Sequence, residues 1–299
     1  MADIREIVVL SGKGGAGKTS ITAAFAALAQ NAIVCDLDVD APDLHILFEP
    51  TDTAAEEFVS GHLAQVEPDD CDGCDICRET CRFEAVTMGP DGKAVIDPRR
   101  CEGCKACVVL CPRRAIAFVP RVCGYFAVST TRFGPFVHAR LDPGGENSGR
   151  LVALLKRKAK EMAEKQGRDL ILCDGAPGIA CPVISALSGA TLAVLVVEPT
   201  PSGTHDFLRV AKLCDHFRLP VGVIINKADV NPEEASRLEA LCAEAGRPVL
   251  GRLAYSPDVT RAMKAKQTLP EYGGPLAGDI ARLWEAANAL AQTCAKAKK

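Results

Sequence analysis

"SGKGGAGKTS", residues 11–20, decides the fold. Gly12-Lys13-Gly14-Gly15-Ala16-Gly17-Lys18-Thr19 satisfies the pattern G-x-x-x-x-G-K-[ST]. The stretch follows the apolar run "IREIVVL" and precedes "KTSITAAFAALAQ", whose apolar residues recur at helical spacing, so it reads as strand, loop, helix. In that context the glycines let backbone N–H groups converge on phosphates, and the helix N-terminus adds its partial positive charge. Lys18 is placed to reach the β- and γ-phosphates, and Thr19 is expected to hold Mg²⁺ through its hydroxyl. Gly12, Lys13, Gly14, Gly15, Ala16, Gly17, Lys18, Thr19 and Ser20 are therefore the expected nucleotide-binding set. Lys13 has no place in this scheme, and a second lysine needs its own account.

Outward from the loop, buried runs alternate with helical stretches. "AIVCDLDVD" reads as a second strand ending in carboxylates. "NSGRLVALLKRKAKEMAEK" reads as an amphipathic helix leading into "DLILCDGAPG". Then come "TLAVLVVEPT", a helix from about Gly203 to Phe217, "PVGVIINKAD", the helix "NPEEASRLEALCAEAG", "PVLGRLAYS" and a last helix from about Gly278. Strands rich in Val, Ile and Leu alternating with helices predict an α/β fold, a mainly parallel sheet with helices on both faces.

Between Glu67 and Phe118 that rhythm stops. "CDGCDICRETCRFEAVTM" aligns there with "CEGCKACVVLCPRRAIAFV", a repeat of about 30 residues. The chain thus divides into an α/β domain from residues 1–66 and 119–299 and an insertion at 67–118. "GYFAVSTTRFGPFVHARL" is expected to return the chain to the sheet as a hairpin.

Eight of the chain's 15 cysteines lie in this insertion, as Cys-x-x-Cys-x-x-Cys-x-x-x-Cys at 71, 74, 77, 81 and again at 101, 104, 107, 111. Three thiolates at intervals of three can wrap one corner of a cubane, while the fourth reaches the neighbouring cluster. The expected ligand sets are therefore crossed. Cys71, Cys74, Cys77 and Cys111 hold one [4Fe-4S] cluster, and Cys101, Cys104, Cys107 and Cys81 hold the other. A pair of zinc knuckles is the competing reading, but it needs only four-cysteine sets and no third cysteine at the same interval. Residues 67–118 resemble a bacterial two-cluster ferredoxin. They depart from it where Cys81 is followed by Arg82, while Cys111 is followed by Pro112. The other seven cysteines are scattered, mostly in apolar runs, and read as small core hydrophobes.

With Lys13, the loop resembles the deviant Walker A motif K-G-G-x-G-K-[ST] of the MinD/ParA superfamily, which includes the nitrogenase iron protein and Mrp-type cluster carriers. The resemblance implies that Lys13 reaches across an ATP-dependent homodimer to the phosphates held by the other subunit. There a cation would stabilise charge building on the transferred phosphoryl group. It also implies that Asp36 sits near the Mg²⁺ water shell, that Asp38 orients the attacking water, and that Asp174 in "LILCDGAPG" holds Mg²⁺ directly or through water. Gly175 and Gly178 give that segment freedom to respond to the γ-phosphate, and Asn226 in "IINKAD" bonds the adenine. ATP rather than GTP rests on the family, because N-K-x-D also occurs in GTPases. Asp40 and Asp43 read as solvated loop carboxylates.

A formal charge of −3 from 35 basic and 38 acidic residues, without a long single-sign block, gives no sign of a nucleic-acid surface. Two oxidised clusters would bring the charge to about −7, so a redox or metallocluster partner docking near them is expected to be basic there. "MADIREIVVL" lacks a signal peptide's basic start and long apolar run, and no stretch reaches the ~18 apolar residues of a membrane span, so a cytoplasmic location is expected. The stripe Ile280, Leu283, Trp284, Ala287 and Leu290 ahead of a basic tail reads as a helix packed on the sheet rather than a membrane anchor. His138 and His205 are not assigned to a site.

The expected function is an iron-sulfur ATPase in which nucleotide state controls electron transfer or metallocluster handling. The alternatives are a MinD-like spatial-organisation ATPase with the clusters as redox sensor, and an Mrp-like cluster carrier. Two clusters with crossed ligation suit a relay better than a sensor, and carriers use only a few cysteines at a dimer interface.

Overall fold

The apolar runs become strands of one sheet. The computed structural model describes residues 4–297; the first three residues, and Lys298 and Lys299 of the basic tail, lie outside the described residues. In chain order the elements are β1 (Arg5–Ser11), α1 (Lys18–Leu28), β2 (Ala32–Asp36), α2 (Leu44–Phe48), β3 (Thr51–Val66), α3 (Ile76–Thr80), β4 (Val86–Met88), β5 (Ala94–Ile96), α4 (Ala106–Leu110), β6 (Ile116–Thr131) and β7 (Gly134–Leu141). They continue with α5 (Ser148–Gln166), β8 (Leu170–Asp174), α6 (Cys181–Leu187), β9 (Leu192–Val197), α7 (Pro201–His216), β10 (Val221–Ile225), α8 (Pro232–Glu244), β11 (Val249–Arg252), α9 (Asp258–Lys264), α10 (Leu269–Tyr272) and α11 (Pro275–Ala297).

The strand order is β11-β10-β9-β1-β8-β2-β7-β6-β3. From β11 to β7 every pairing is parallel, with β1 between β8 and β9. The central strands are buried along their length, which is why they read as unbroken apolar runs rather than alternating ones. On one face, Phe25 of α1 meets Trp284 of α11 at 5.3 Å between ring centroids, and Ile280, Leu283 and Ala287 join the same core. The apolar stripe of the last helix is thus used by the core. β6 and β7 form the expected hairpin.

Two compact units emerge. One comprises the residues up to Glu56, Phe126–Arg140 and Asn147 onward; the other comprises Glu57–Tyr125 with Leu141–Glu146. The boundaries expected at 67 and 118 fall inside the second unit, which takes in the last ten residues of β3, up to Val66, and the first ten of β6, from Ile116.

Within the second unit the sequence repeat is also a backbone repeat. α3 and α4 begin 30 residues apart, and each is preceded by a non-glycine residue in the left-handed region, Asp75 (φ 66°) and Lys105 (φ 68°). Gly73 and Gly103 are also left-handed, and a Cβ on either would come within 2.5 Å of a backbone carbonyl oxygen, that of Gly92 or His62. These two glycines are fixed by conformation and by close approach together.

Candidate functional site

The carboxyl ends of the parallel strands, where open α/β sheets place their ligands, carry the loop. Gly17 at φ 97° caps α1, and a Cβ there would lie 2.3 Å from the Asn226 amide nitrogen. Behind the loop, Asn226 Nδ2 donates to Ala16 O at 2.8 Å, and Lys227 Nζ donates to Gly15 O at 3.2 Å while pairing with Glu198 at 3.2 Å. A cleft of about 480 Å³ opens in front of it. Its walls include Gly15, Lys18, Thr19 and Asp38 together with Leu253, Tyr255 and Val259. That size and mixture suit a small ligand with a polar head and an apolar body.

The registered strand ends bring the carboxylates together. Asp36 and Asp174 are paired residues of β2 and β8, and both are buried. Lys18 Nζ lies 3.2 Å from Asp174 Oδ2 and 3.3 Å from Asp38 Oδ2. Burial pulls the Lys18 pKa down, but Asp174, Asp38 and Asp36 together outweigh it and hold the ammonium above its ordinary value. Burial, then the charge of Asp174, pushes the Asp36 carboxyl well above the usual range. Burial also raises Asp38, against the pull of Lys18. Such a buried excess of carboxylates is what a bound cation relieves.

Thr19 Oγ1 donates to Asp174 Oδ2 at 2.7 Å, which puts a hydroxyl and a carboxylate side by side. This hard oxygen pair fits Mg²⁺, which takes one or two protein oxygens and completes its shell with water and phosphate. Asp36 instead accepts from the Asp38 N–H at 3.1 Å and the Leu44 N–H at 3.3 Å, so its carboxylate shapes the turn after β2. Lys13 points elsewhere: its Nζ lies 3.2 Å from Thr200 Oγ1 and 3.3 Å from Ser202 Oγ, on the first turn of α7. A residue not singled out from the sequence completes the group. Thr22, fully buried, has its hydroxyl 3.0 Å from both Asp174 Oδ1 and the Lys18 carbonyl oxygen, and its one proton, shared between them, holds that carboxylate at the oxygen Thr19 does not take. Its only sequence signal is a hydroxyl three residues after Thr19 on the same helix face.

In the second unit a cavity is lined by Cys71, Cys74, Cys77 and Cys111, three thiols from one repeat and one from the other, together with the apolar Val66, Met88 and Ile116. Burial raises the Cys77 thiol, and it raises that of Cys107 to about 11 with help from neighbouring Cys101, Cys104 and Cys77. The Ala85 N–H donates to Cys81 Sγ and the Ala115 N–H to Cys111 Sγ, both at 3.4 Å and 30 residues apart. Among the described residues, no three Cys, His, Asp or Glu side chains converge as one metal ion would need.

Sheet order, loop and strand-end carboxylates together define a P-loop nucleotide-binding protein. A model of the CobQ/CobB/MinD/ParA nucleotide-binding domain matches residues 7–269, and the chain belongs to that family. It is 34% identical to the uncharacterized protein MJ0578 of Methanocaldococcus jannaschii over 231 residues, 76% of this chain and 80% of that one. It is 29% identical to a cytosolic Fe-S cluster assembly factor Nubp1 homolog of Drosophila grimshawi over 149 residues, 43% of this chain and 45% of that one. In fold it is similar to the septum site-determining protein MinD complexed with Mg-ADP from Pyrococcus horikoshii, at a TM-score of 0.59 and 17% identity over 97% of this chain and 98% of that one.

Proposed function

We propose that the protein is an iron-sulfur ATPase that binds and hydrolyses ATP as a nucleotide-sandwich homodimer and couples this to electron transfer or metallocluster handling through two [4Fe-4S] clusters. The observation that carries the reading is the coexistence in one chain of the Lys18–Asp38–Asp174 cleft and the cavity lined by Cys71, Cys74, Cys77 and Cys111.

At the cleft, Lys18 and the N–H groups at the start of α1 hold the triphosphate. Thr19 and Asp174 would hold Mg²⁺, which when bound neutralises developing phosphate charge. Asp38, beside Lys18, orients the water that attacks the γ-phosphorus; the products are ADP and phosphate. Asn226 has one amide proton on Ala16 O and a second for the adenine. Lys13 acts across the dimer, on the partner's γ-phosphate.

The donor set of the second unit suits cubane clusters. Four soft thiols line a cavity instead of meeting at a point, its other walls combine apolar residues with Asp72, Asp75 and Arg113, and backbone N–H groups reach the fourth cysteine of each repeat. Such clusters supply one-electron redox chemistry when bound. Anaerobically purified protein is expected to contain about eight iron and eight acid-labile sulfide per chain; stoichiometric zinc without sulfide overturns the reading. A second reading, cluster assembly, is supported by the likeness to the Nubp1 homolog. Transfer of iron and sulfide to an apo-acceptor, rather than of electrons, distinguishes it.

A further inference from the structure

We infer that the two cysteine sites are electrostatically unequal, so that the site built on Cys101, Cys104 and Cys107 has the higher reduction potential and an electron entering the unit settles there. The inference rests on the two-cluster reading proposed above. Asp75 and Lys105 carry it. Each sits between the second and third cysteines of its repeat in the same backbone conformation, φ 66° and ψ −1° against φ 68° and ψ 0°, and their charges are opposite. The inversion recurs 30 residues apart at Asp69 and Arg99 and at Asp70 and Arg100.

Three local features are matched between the repeats, while thiol burial is not: Cys77 and Cys101 are buried, and their counterparts Cys107 and Cys71 are half-buried. Helix length, the left-handed glycine and the 3.4 Å N–H···S bond to the fourth cysteine are the same in both. Charge differs in sign. In the stretches that carry the first ligand set, 67–79 and 111–114, six carboxylates outnumber three cations. In those that carry the second, 81–84 and 97–109, four cations outnumber three carboxylates. To these Arg121 adds a largely buried guanidinium 3.5 Å from Cys101 O, with Glu146 3.9 Å away. Two features run the other way: Arg113 lines the Cys71 cavity, and Glu84 lies three residues beyond Cys81. The counts include both, and the sign of the difference survives. Reduction adds one negative charge to a site, which nearby cations stabilise and nearby carboxylates oppose.

The test poises the holo-protein at a series of potentials with titanium(III) citrate as reductant and follows the reduced clusters by EPR. Each cluster takes up one electron. Two midpoints are expected. Lys105→Asp should lower the higher one and leave the lower one nearly fixed, and Asp75→Lys should raise only the lower one. Each shift should be about tenfold in the reduced-to-oxidised ratio at fixed potential, equivalent to ~59 mV for a one-electron couple. Each substitution installs the side-chain type that the other repeat already holds in this backbone conformation, and iron and sulfide per chain check that the unit is intact. Arg121→Gln should also lower the higher midpoint. Raising the ionic strength should narrow the gap, because most of these charges are solvent-exposed and screened. Coincident midpoints, or a Lys105→Asp effect confined to the lower one, overturn the inference while leaving the clusters in place. Absence of any [4Fe-4S] signal overturns the cluster reading and this inference with it.

Discussion

The ammonium of Lys13 lies 3.2 Å from the hydroxyl of Thr200, the residue that caps α7. Lys18, five residues on, is instead enclosed by the carboxylates of Asp38 and Asp174. The two lysines of one loop thus have separate surroundings and, in the proposed mechanism, separate tasks. Lys18→Ala is expected to abolish tight ATP binding. Lys13→Ala should bind ATP as a monomer but lose ATP-dependent dimerisation and most turnover, as read by equilibrium nucleotide binding, sedimentation and phosphate release. Dimerisation and hydrolysis at the parental rate in Lys13→Ala would refute the role across the interface.

Thr22 offers a test of how Asp174 is held. Its hydroxyl takes one carboxylate oxygen and Thr19 takes the other. Thr22→Val keeps the shape and removes the bond, so the Mg²⁺ concentration needed for half-maximal hydrolysis should rise by about 10- to 100-fold, as for other residues that orient a metal ligand. An unchanged Mg²⁺ requirement assigns Thr22 to packing alone.

The crossed ligand sets make an asymmetric prediction. Cys81→Ala should damage the cluster held by Cys101, Cys104 and Cys107 and spare the one next to it in sequence. EPR and Mössbauer spectra of the variant distinguish the two; selective loss of the Cys71 cluster would mean that ligation is local.

His138 gives a pH signature. It stacks on Phe136 and hydrogen-bonds Ser129, while burial, then His45, pulls its pKa from 6.5 to about 4. The unfolded chain therefore binds more protons than the folded one between these values. Stability is full above about pH 6.5 and is lost as pH falls toward 4, by about 2 kcal/mol after allowance for partial exposure. His138→Gln should flatten that part of the pH profile of chemical denaturation; an unaltered profile assigns the loss to other groups.

Much of the fold was legible because long buried strands and a glycine-rich turn leave strong local signals. Val8 and Leu172 sit in runs with no polar interruption, and the phosphate loop has fixed spacing. β3 was not legible: "TDTAAEEFVSGHLAQV" is an edge strand whose residues 54–57 are all exposed, so it shows neither an apolar run nor clean alternation. For the same reason the insertion was bounded by its cysteine motifs, although the strands that carry it run well past them. In the cleft, Lys18, Thr19 and the strand-end aspartates could be read from motifs. Thr22 could not, since a threonine inside a helix announces nothing until Asp174 is seen beside it.

In the proposed function, nucleotide state and cluster state affect each other. β3 and β6 carry the chain from the nucleotide-binding unit into the cysteine-bearing one and back. Any coupling must be reciprocal in binding free energy. The most direct measurement is the ATP affinity of Asp38→Ala, which should bind without turnover, once with the clusters oxidised and once reduced. A coupling of about 1.4 kcal/mol appears as a tenfold difference in affinity, with a matching ~59 mV shift of a one-electron potential when ATP is added. Equal affinities in the two redox states, with no shift in potential, would contradict the account.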